Sequence, residues 1–412
     1  MKVPDLAQAT GNEEKSKKPK NVDLGKYRKK KKHGKHLAQL IAILVAVILI
    51  AIVWINADTI FEPLRGIASK IETKTTLTVG YPIELTGSGS YSIMRFGSNF
   101  SLLNDTYLYT YDTNGAQLYA LKHGYSHPEQ ATSEKRILLF DKSGNNFAVY
   151  SKSSLIYQNS VDDKIVYASI GNDGLSAVVT DSKRYSNVLY VYDDGGNWKY
   201  TKKFADENVI KVCSVGDGKH IVVATLSAKH GDIITNFYKY SILSTDDCIW
   251  KCSVRSGSLP CGMFADSDTV LTVCDNSVIS VDCRTGELIG SYPYSGQLKN
   301  FYINGDIVLL QYNDISANRN VLTVFNNNAE ATAQVNVSAG ASCVYSDANG
   351  IYVLDGAKFK VFDIDLINEN IIPVTDDDYT SFVKIGDDIV MLGYETVNRV
   401  SVADAEDKNK EQ

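Results

Sequence analysis

Residues able to do chemistry are few and scattered in this 412-residue chain. His123 and His127, in HGYSH, stand at a spacing that can bind a metal, but no partner carboxylate accompanies them, so the motif reads as a surface loop. Carboxylates gather at Asp162–Asp163, Asp206–Glu207 and Asp376–Asp377–Asp378. Brought to one mouth of a fold, they would suit a cation or a basic peptide; spread apart, they are a solvated acidic rim. GxSxG and HExxH are both absent, which removes the hydrolase classes built on them. No metal site and no cofactor is expected. Seven cysteines, at 213, 248, 252, 261, 274, 283 and 343, are an odd number and include no CxxC. Cys248 and Cys252, four apart on one expected strand, should point to one face. Buried free thiols on strands are the main reading; one or two disulfides among Cys213, Cys248, Cys252 and Cys261 are the alternative.

Short strands must position these residues. From Thr76 onward, alternating aromatic and β-branched runs end in Gly, Asn and Asp turns. YLYTYDTNG, NVLYVYDDGG, SVISVDCRTG and NVLTVFNNN are examples. The residue closing each such run falls at 112, 151, 193, 241, 282, 326, 363 and 403, in steps of 39, 42, 48, 41, 44, 37 and 40. A period near 40 in an all-strand chain indicates propeller blades. Each period divides into four strands, a to d from the hub outward. In the fifth unit these are CGMFAD, TVLTVCD, SVISVD and ELIGSYP. The last unit has SFVKIG, DIVMLGY and NRVSV, and then ADAEDKNKEQ, too charged for a strand. The unpaired run LTVGYPIEL (77–85) would supply the missing d strand and remove two exposed edges. The expectation is an all-β, eight-bladed propeller over 77–403 (seven if a weak unit collapses), with 404–412 a disordered tail. In such blades the d-to-a and b-to-c loops share one face, and the three acidic groups lie in d-to-a loops.

Charge divides the chain. Residues 1–36 carry twelve Lys/Arg against Asp5, Glu13, Glu14 and Asp23, a balance of +8, so the rest of a chain with net charge −6 carries −14. Between them Leu37–Ala57 is uncharged and apolar, long enough as a helix to cross about 30 Å of hydrocarbon. Arg28, Lys29, Lys30, Lys31, Lys32 and Lys35 precede it, which puts the N-terminus in the cytoplasm and the body outside. A cleaved signal peptide is the alternative, but the apolar run and the basic region are both too long. The tail is too polar to fold. Its basic cluster would meet anionic lipid headgroups, or simply set orientation. Nucleic acid is not an expected partner. Ile60, Leu64, Ile67 and Ile71 predict an amphipathic juxtamembrane helix within 58–76. Free thiols outside the membrane suit an anaerobic or bacterial surface better than an oxidising secretory route.

SVDCRTGELIGSY (280–292) resembles the quinoprotein-type propeller repeat, in which an Asp–x–x–Thr–Gly turn joins the outer strands; here these are Asp282, Thr285 and Gly286. The usual tryptophan is missing, with Ile289 and Gly290 in its region. YTYDTNGAQLYAL and YVYDDGGNWKYT are looser versions. A quinone-dependent enzyme is not expected, because no Cys–Cys pair occurs and Trp198 and Trp250 fall in outer strands. The layout of Lys-rich tail, one span and repeats also resembles uncharacterised membrane-anchored propeller proteins of Gram-positive bacteria, a group that carries over no activity.

The expected function is a non-catalytic binding or scaffold module at the plasma membrane, displaying loops to a protein, peptide or cell-wall polymer. The alternative is an enzyme or metal-dependent carbohydrate-binding module using the central channel. An outer strand at 77–85 would bring the chain in on the c-to-d side, so the d-to-a face should point away from the bilayer.

Overall fold

The computed structural model describes residues 80–86, 89–244, 248–255, 257–303, 308–314, 319–374 and 378–401, with backbone alone at 308–314, 319 and 373. The chain divides into two compact units, Met1–Ile71 and Glu72–Gln412, and all described residues belong to the second. The basic tail, the span, the juxtamembrane helix and the 404–412 tail lie outside the described residues.

Among the described residues every regular element is a strand, and the strands form eight four-stranded antiparallel sheets. Sheets 1 to 7 span 92–122, 128–160, 165–204, 208–254, 260–293, 297–337 and 341–373, each a simple meander of strands a to d. Sheet 8 takes three strands from 381–401 and its fourth from Ile83–Glu84. There Ile83 pairs with Val397 and Glu84 with Thr396, and the Leu85 N–H donates to the Glu395 carbonyl at 2.8 Å. The outer strand is shorter than the expected 77–85: Pro82 has no N–H to extend the ladder, and 77–79 lie outside the described residues.

The a strands pack on one another in sequence around a circle, and that of sheet 8 packs on that of sheet 1. This is the arrangement of a β-propeller. Its core is distributed. Leu189, Val191, Tyr200, Val223 and Tyr240 fill the space between sheets 3 and 4. Leu138, Phe147, Val149, Ile165 and Val178 do so between sheets 2 and 3. Ile83, Phe100, Leu102, Val390 and Val397 join sheet 8 to sheet 1. Middle strands covered on both faces therefore read as unbroken apolar runs: Ser176–Thr180 and Thr269–Cys274 are buried at every position. Outer strands such as Leu288–Pro293 are largely uncovered.

The repeating turn seen in the sequence is the c-to-d hairpin. Asp112 Oδ1 accepts the N–H groups of Asn114 and Ala116 at 2.9 and 2.8 Å. Asp193 does the same for Gly195 and Asn197, and Asp282 for Arg284 and Thr285. Gly115, Gly196 and Gly286 follow at φ 78°, 79° and 76°, which only glycine adopts cheaply. A Cβ on these glycines would lie 3.2, 2.4 and 2.7 Å from the rings of Tyr81, Tyr157 and Trp250. Each ring belongs to the outer segment of the preceding sheet. Tyr81 thus docks on sheet 1 as Tyr157 and Trp250 dock on sheets 3 and 5.

Candidate functional site

Two faces follow from the meander. Asn145, in the b-to-c turn of sheet 2, donates through Nδ2 to the carbonyls of Val161, Asp162 and Asp163, each at 3.0 Å. The b-to-c and d-to-a loops therefore share a face. On the opposite face Arg136, of an a-to-b turn, forms a two-pronged pair with Asp194, of a c-to-d turn, at 2.8 and 2.9 Å.

The acidic residues expected at the d-to-a mouth are only partly brought together. Asp162 and Asp163 lie between sheets 2 and 3, and Asp206 and Glu207 between sheets 3 and 4. Asp378 lies on the far side of the ring, between sheets 7 and 8, while Asp376 and Asp377 lie outside the described residues. No group of three metal-ligating side chains forms among the described residues. Glu207 is engaged internally: it accepts from Thr225 Oγ1, from the Tyr238 hydroxyl at 2.7 Å and from Lys251 Nζ at 3.4 Å. His123 is engaged as well, Nδ1 accepting the Tyr125 N–H at 3.0 Å and Nε2 facing the Asn104 carbonyl at 3.1 Å. Burial lowers its pKa.

The most prominent feature of this face is a hairpin. Strands His220–Lys229 and Asp232–Ser241 of sheet 4 are ten residues each, against five to seven in the other described strands of the seven full meanders. Strand a stops at the level of Leu226 and strand d at Thr235, so the hairpin runs on past both, and Ala228–Ile233 at its end is exposed throughout. His230 and Gly231 turn the tip at φ 55° and 91°, and Ile233 beside it is 51% exposed. At the foot is a groove of about 410 Å³ lined by Asp206, Glu207, Lys229, Asn236, Lys251 and Arg255. Asn236 bridges Ser227 and Ser253 across its floor at 3.0 and 2.6 Å. A second cavity, about 600 Å³, opens on the same face between sheets 1 and 2, with Tyr91, Asn104, Asp105, Glu129 and Gln130 on its walls. The hairpin was missed in the sequence, yet it left a trace: the step from 193 to 241 is 48 residues, the longest of the series.

All seven thiols are free. The expectation that Cys248 and Cys252 share a face is corrected. Cys248 precedes the strand Trp250–Val254 and packs in the core between sheets 3 and 4, whereas Cys252 packs between sheets 4 and 5. Strand alternation cannot run through a residue that lies before the strand begins. Cys213, Cys252, Cys274 and Cys283 share that second core. Burial raises each of their pKa values, that of Cys274 to about 12.

Three solved structures are similar at the level of fold. BamB from Moraxella catarrhalis superposes with a TM-score of 0.53 at 12% identity, over 79% of this chain and 97% of that one. The C-terminal WD40 domain of Sif2 gives 0.55 at 14% identity, over 79% and 99%. The WD40 domain of SCAP from fission yeast gives 0.51 at 11% identity, over 81% and 98%. No curated protein matches the chain. A family model described as a family of unknown function, DUF5711, matches residues 70–391. This β-propeller chain belongs to that family of unknown function, DUF5711.

Proposed function

We propose that the chain is an eight-bladed propeller held at the cell surface by a helix over 37–57, and that it works as a non-catalytic binding or scaffold module. The observation that carries this reading is the asymmetry of the two faces. The described chain begins at Gly80 and Tyr81, against the c-to-d turn of sheet 1. An anchored ring would therefore turn its c-to-d rim to the bilayer and present the d-to-a face outward. That face holds the free-standing hairpin with Ile233 exposed and a polar groove at its foot, a rigid display of loops for a protein, peptide or wall polymer. The basic run Arg28–Lys32 with Lys35 would rest on anionic lipid inside.

A photo-crosslinker at Ile233, used in living cells and read by mass spectrometry, tests the binding role. The same partner should be captured repeatedly from Ile233 and not from a crosslinker at Leu288 on the outer strand of sheet 5. Equal capture from both positions, or none, would overturn it. Labelling of intact cells with a membrane-impermeant reagent should modify an epitope after Gln412 and spare one before Met1; the reverse pattern would refute the orientation.

The 600 Å³ cavity favours a second reading, a carbohydrate site using the channel mouth. Its walls include the aromatic Tyr91 and the acidic Asp105 and Glu129. Saturable binding of a soluble wall glycan, lost on Glu129→Gln and unchanged on Ile233→Ser, would favour that reading over the hairpin.

A further inference from the structure

The ring's axis has the opposite charge to its body. Six charged residues lie in the eight a strands: Arg95, Glu129, Lys211, Lys299, Asp347 and Lys384. Both acids are already paired, Glu129 with Lys142 at 2.7 Å and Asp347 with Lys384 at 2.7 Å. Arg95 reaches past sheet 8 to the Tyr345 hydroxyl of sheet 7 at 2.8 Å and lies 3.8 Å from Glu134. These contacts of Arg95 and Lys384 draw together the a-to-b end of the axis.

The d-to-a end is shaped differently. In five consecutive sheets, 3 to 7, strand a is bulged near this end, leaving Val166, Ile210, Cys261, Lys299 and Ser342 without a partner in the register. A bulge re-aims side chains at the rim of a β structure. Lys211 follows one of these bulges. It is half-buried, and its ammonium lies 5.0 Å from the centre of the Tyr167 ring, on the a strand of the neighbouring sheet. No carboxylate or carbonyl among the described residues bonds it. Its other ionisable neighbours are the Cys261 thiol, Glu129 and Lys142, the last two already paired with each other.

We propose that Lys211 is the anchor of a binding site for a small oxyanion, a carboxylate or a phosphate group, entering from the d-to-a mouth. A partly desolvated ammonium without oxygen acceptors is unfavourable, and a bound oxyanion supplies charge-assisted hydrogen bonds. The bulged Lys299, exposed and without an ion pair among the described residues, adds a second positive charge at the same mouth. The Tyr167 ring holds the Lys211 ammonium in place from one side and leaves its remaining donors free. The carboxylate among the groups that act on Lys211 is Glu129, and Lys142 already holds it at 2.7 Å. Burial, which lowers the Lys211 pKa, also makes this amine more reactive than a surface lysine. The site depends on neither membrane attachment nor a macromolecular partner.

The test uses the purified full chain and needs no variant. Lysines are reductively methylated with formaldehyde while inorganic phosphate or acetate is titrated in, and each lysine is followed by peptide mass spectrometry. At about ten times the dissociation constant, Lys211 should be labelled roughly tenfold more slowly, with saturation, while Lys122 and Lys135 keep their rates. Protection by phosphate alone identifies a phosphoryl ligand, by acetate alone a carboxylate, and by both a general oxyanion site. Unchanged labelling of Lys211 with both ions, or equal slowing at all three lysines, would overturn the proposal. The capture experiment at Ile233 can fail or succeed without altering this outcome.

Discussion

Three residues carry the local account, and each can be tested alone. Gly286 sits at φ 76° with the Trp250 ring 2.7 Å from where a Cβ would be. Gly286→Ala should cost about 2 kcal/mol in denaturant unfolding, through backbone strain and displacement of the ring. Asp193 shows how charge supports the same turn. Its burial raises the carboxyl pKa, but Lys199 and the N–H groups of Gly195 and Asn197 outweigh this and bring it to about 2. A carboxyl with a depressed folded pKa stabilises the fold above its unfolded value and loses that contribution as pH falls through the folded one. Asp193→Asn should therefore be less stable at pH 7 by about 0.5–1 kcal/mol, and the gap should close between about pH 4 and pH 2. The third is Lys384, 2% exposed and paired with Asp347 at 2.7 Å. Asp347→Asn removes the countercharge of a buried ammonium, which keeps only the Gly386 carbonyl and the Tyr352 ring, and should cost about 3 kcal/mol, most of it recovered when Lys384→Met is added. The turn residues were legible in the sequence because Asp–x–x–Thr–Gly is a local signal. Lys384 and Lys211 were not, because a lysine in a strand gives no sign of lying on an axis.

At the scale of elements, period and turn chemistry located the strands closely. SVISVD was read as strand c of the fifth unit and is Ser277–Asp282. What escaped were departures from regular register. The five axial bulges all lie near the d-to-a end of their a strands, and no short window of sequence encodes them. The overhang of sheet 4 was visible only as a long step. Its tip, Ala228–Ile233, is exposed throughout, so replacing those residues by a two-residue Asn-Gly turn should leave thermal unfolding nearly unchanged while abolishing co-purification of the partner captured at Ile233; a large loss of stability would make the hairpin part of the core instead. The packed thiols give an independent check on the interface between sheets 4 and 5. Cys252, Cys274 and Cys283 should resist a thiol reagent at neutral pH and react rapidly once denaturant opens the fold.

For the whole molecule, the central claim is that the two ends of the ring meet. The sequence suggested this because one strand stood unpaired before the first unit and one was missing after the last. The structure places Ile83–Glu84 on the edge of Thr396–Ser401, with a shared core of Ile83, Phe100, Val390 and Val397 behind. Closure defines which face the chain leaves open, and both the display surface and the basic axis depend on it. Glu84 and Thr396 stand opposite each other in the pairing. Cysteines placed at both positions, by Glu84→Cys with Thr396→Cys, should form a disulfide within one chain under mild oxidation, identified by mass spectrometry of the linked peptides and by a raised unfolding midpoint. If the linked peptides are absent, or appear only between two chains, the ring is not closed by its own N-terminal segment and the account is wrong.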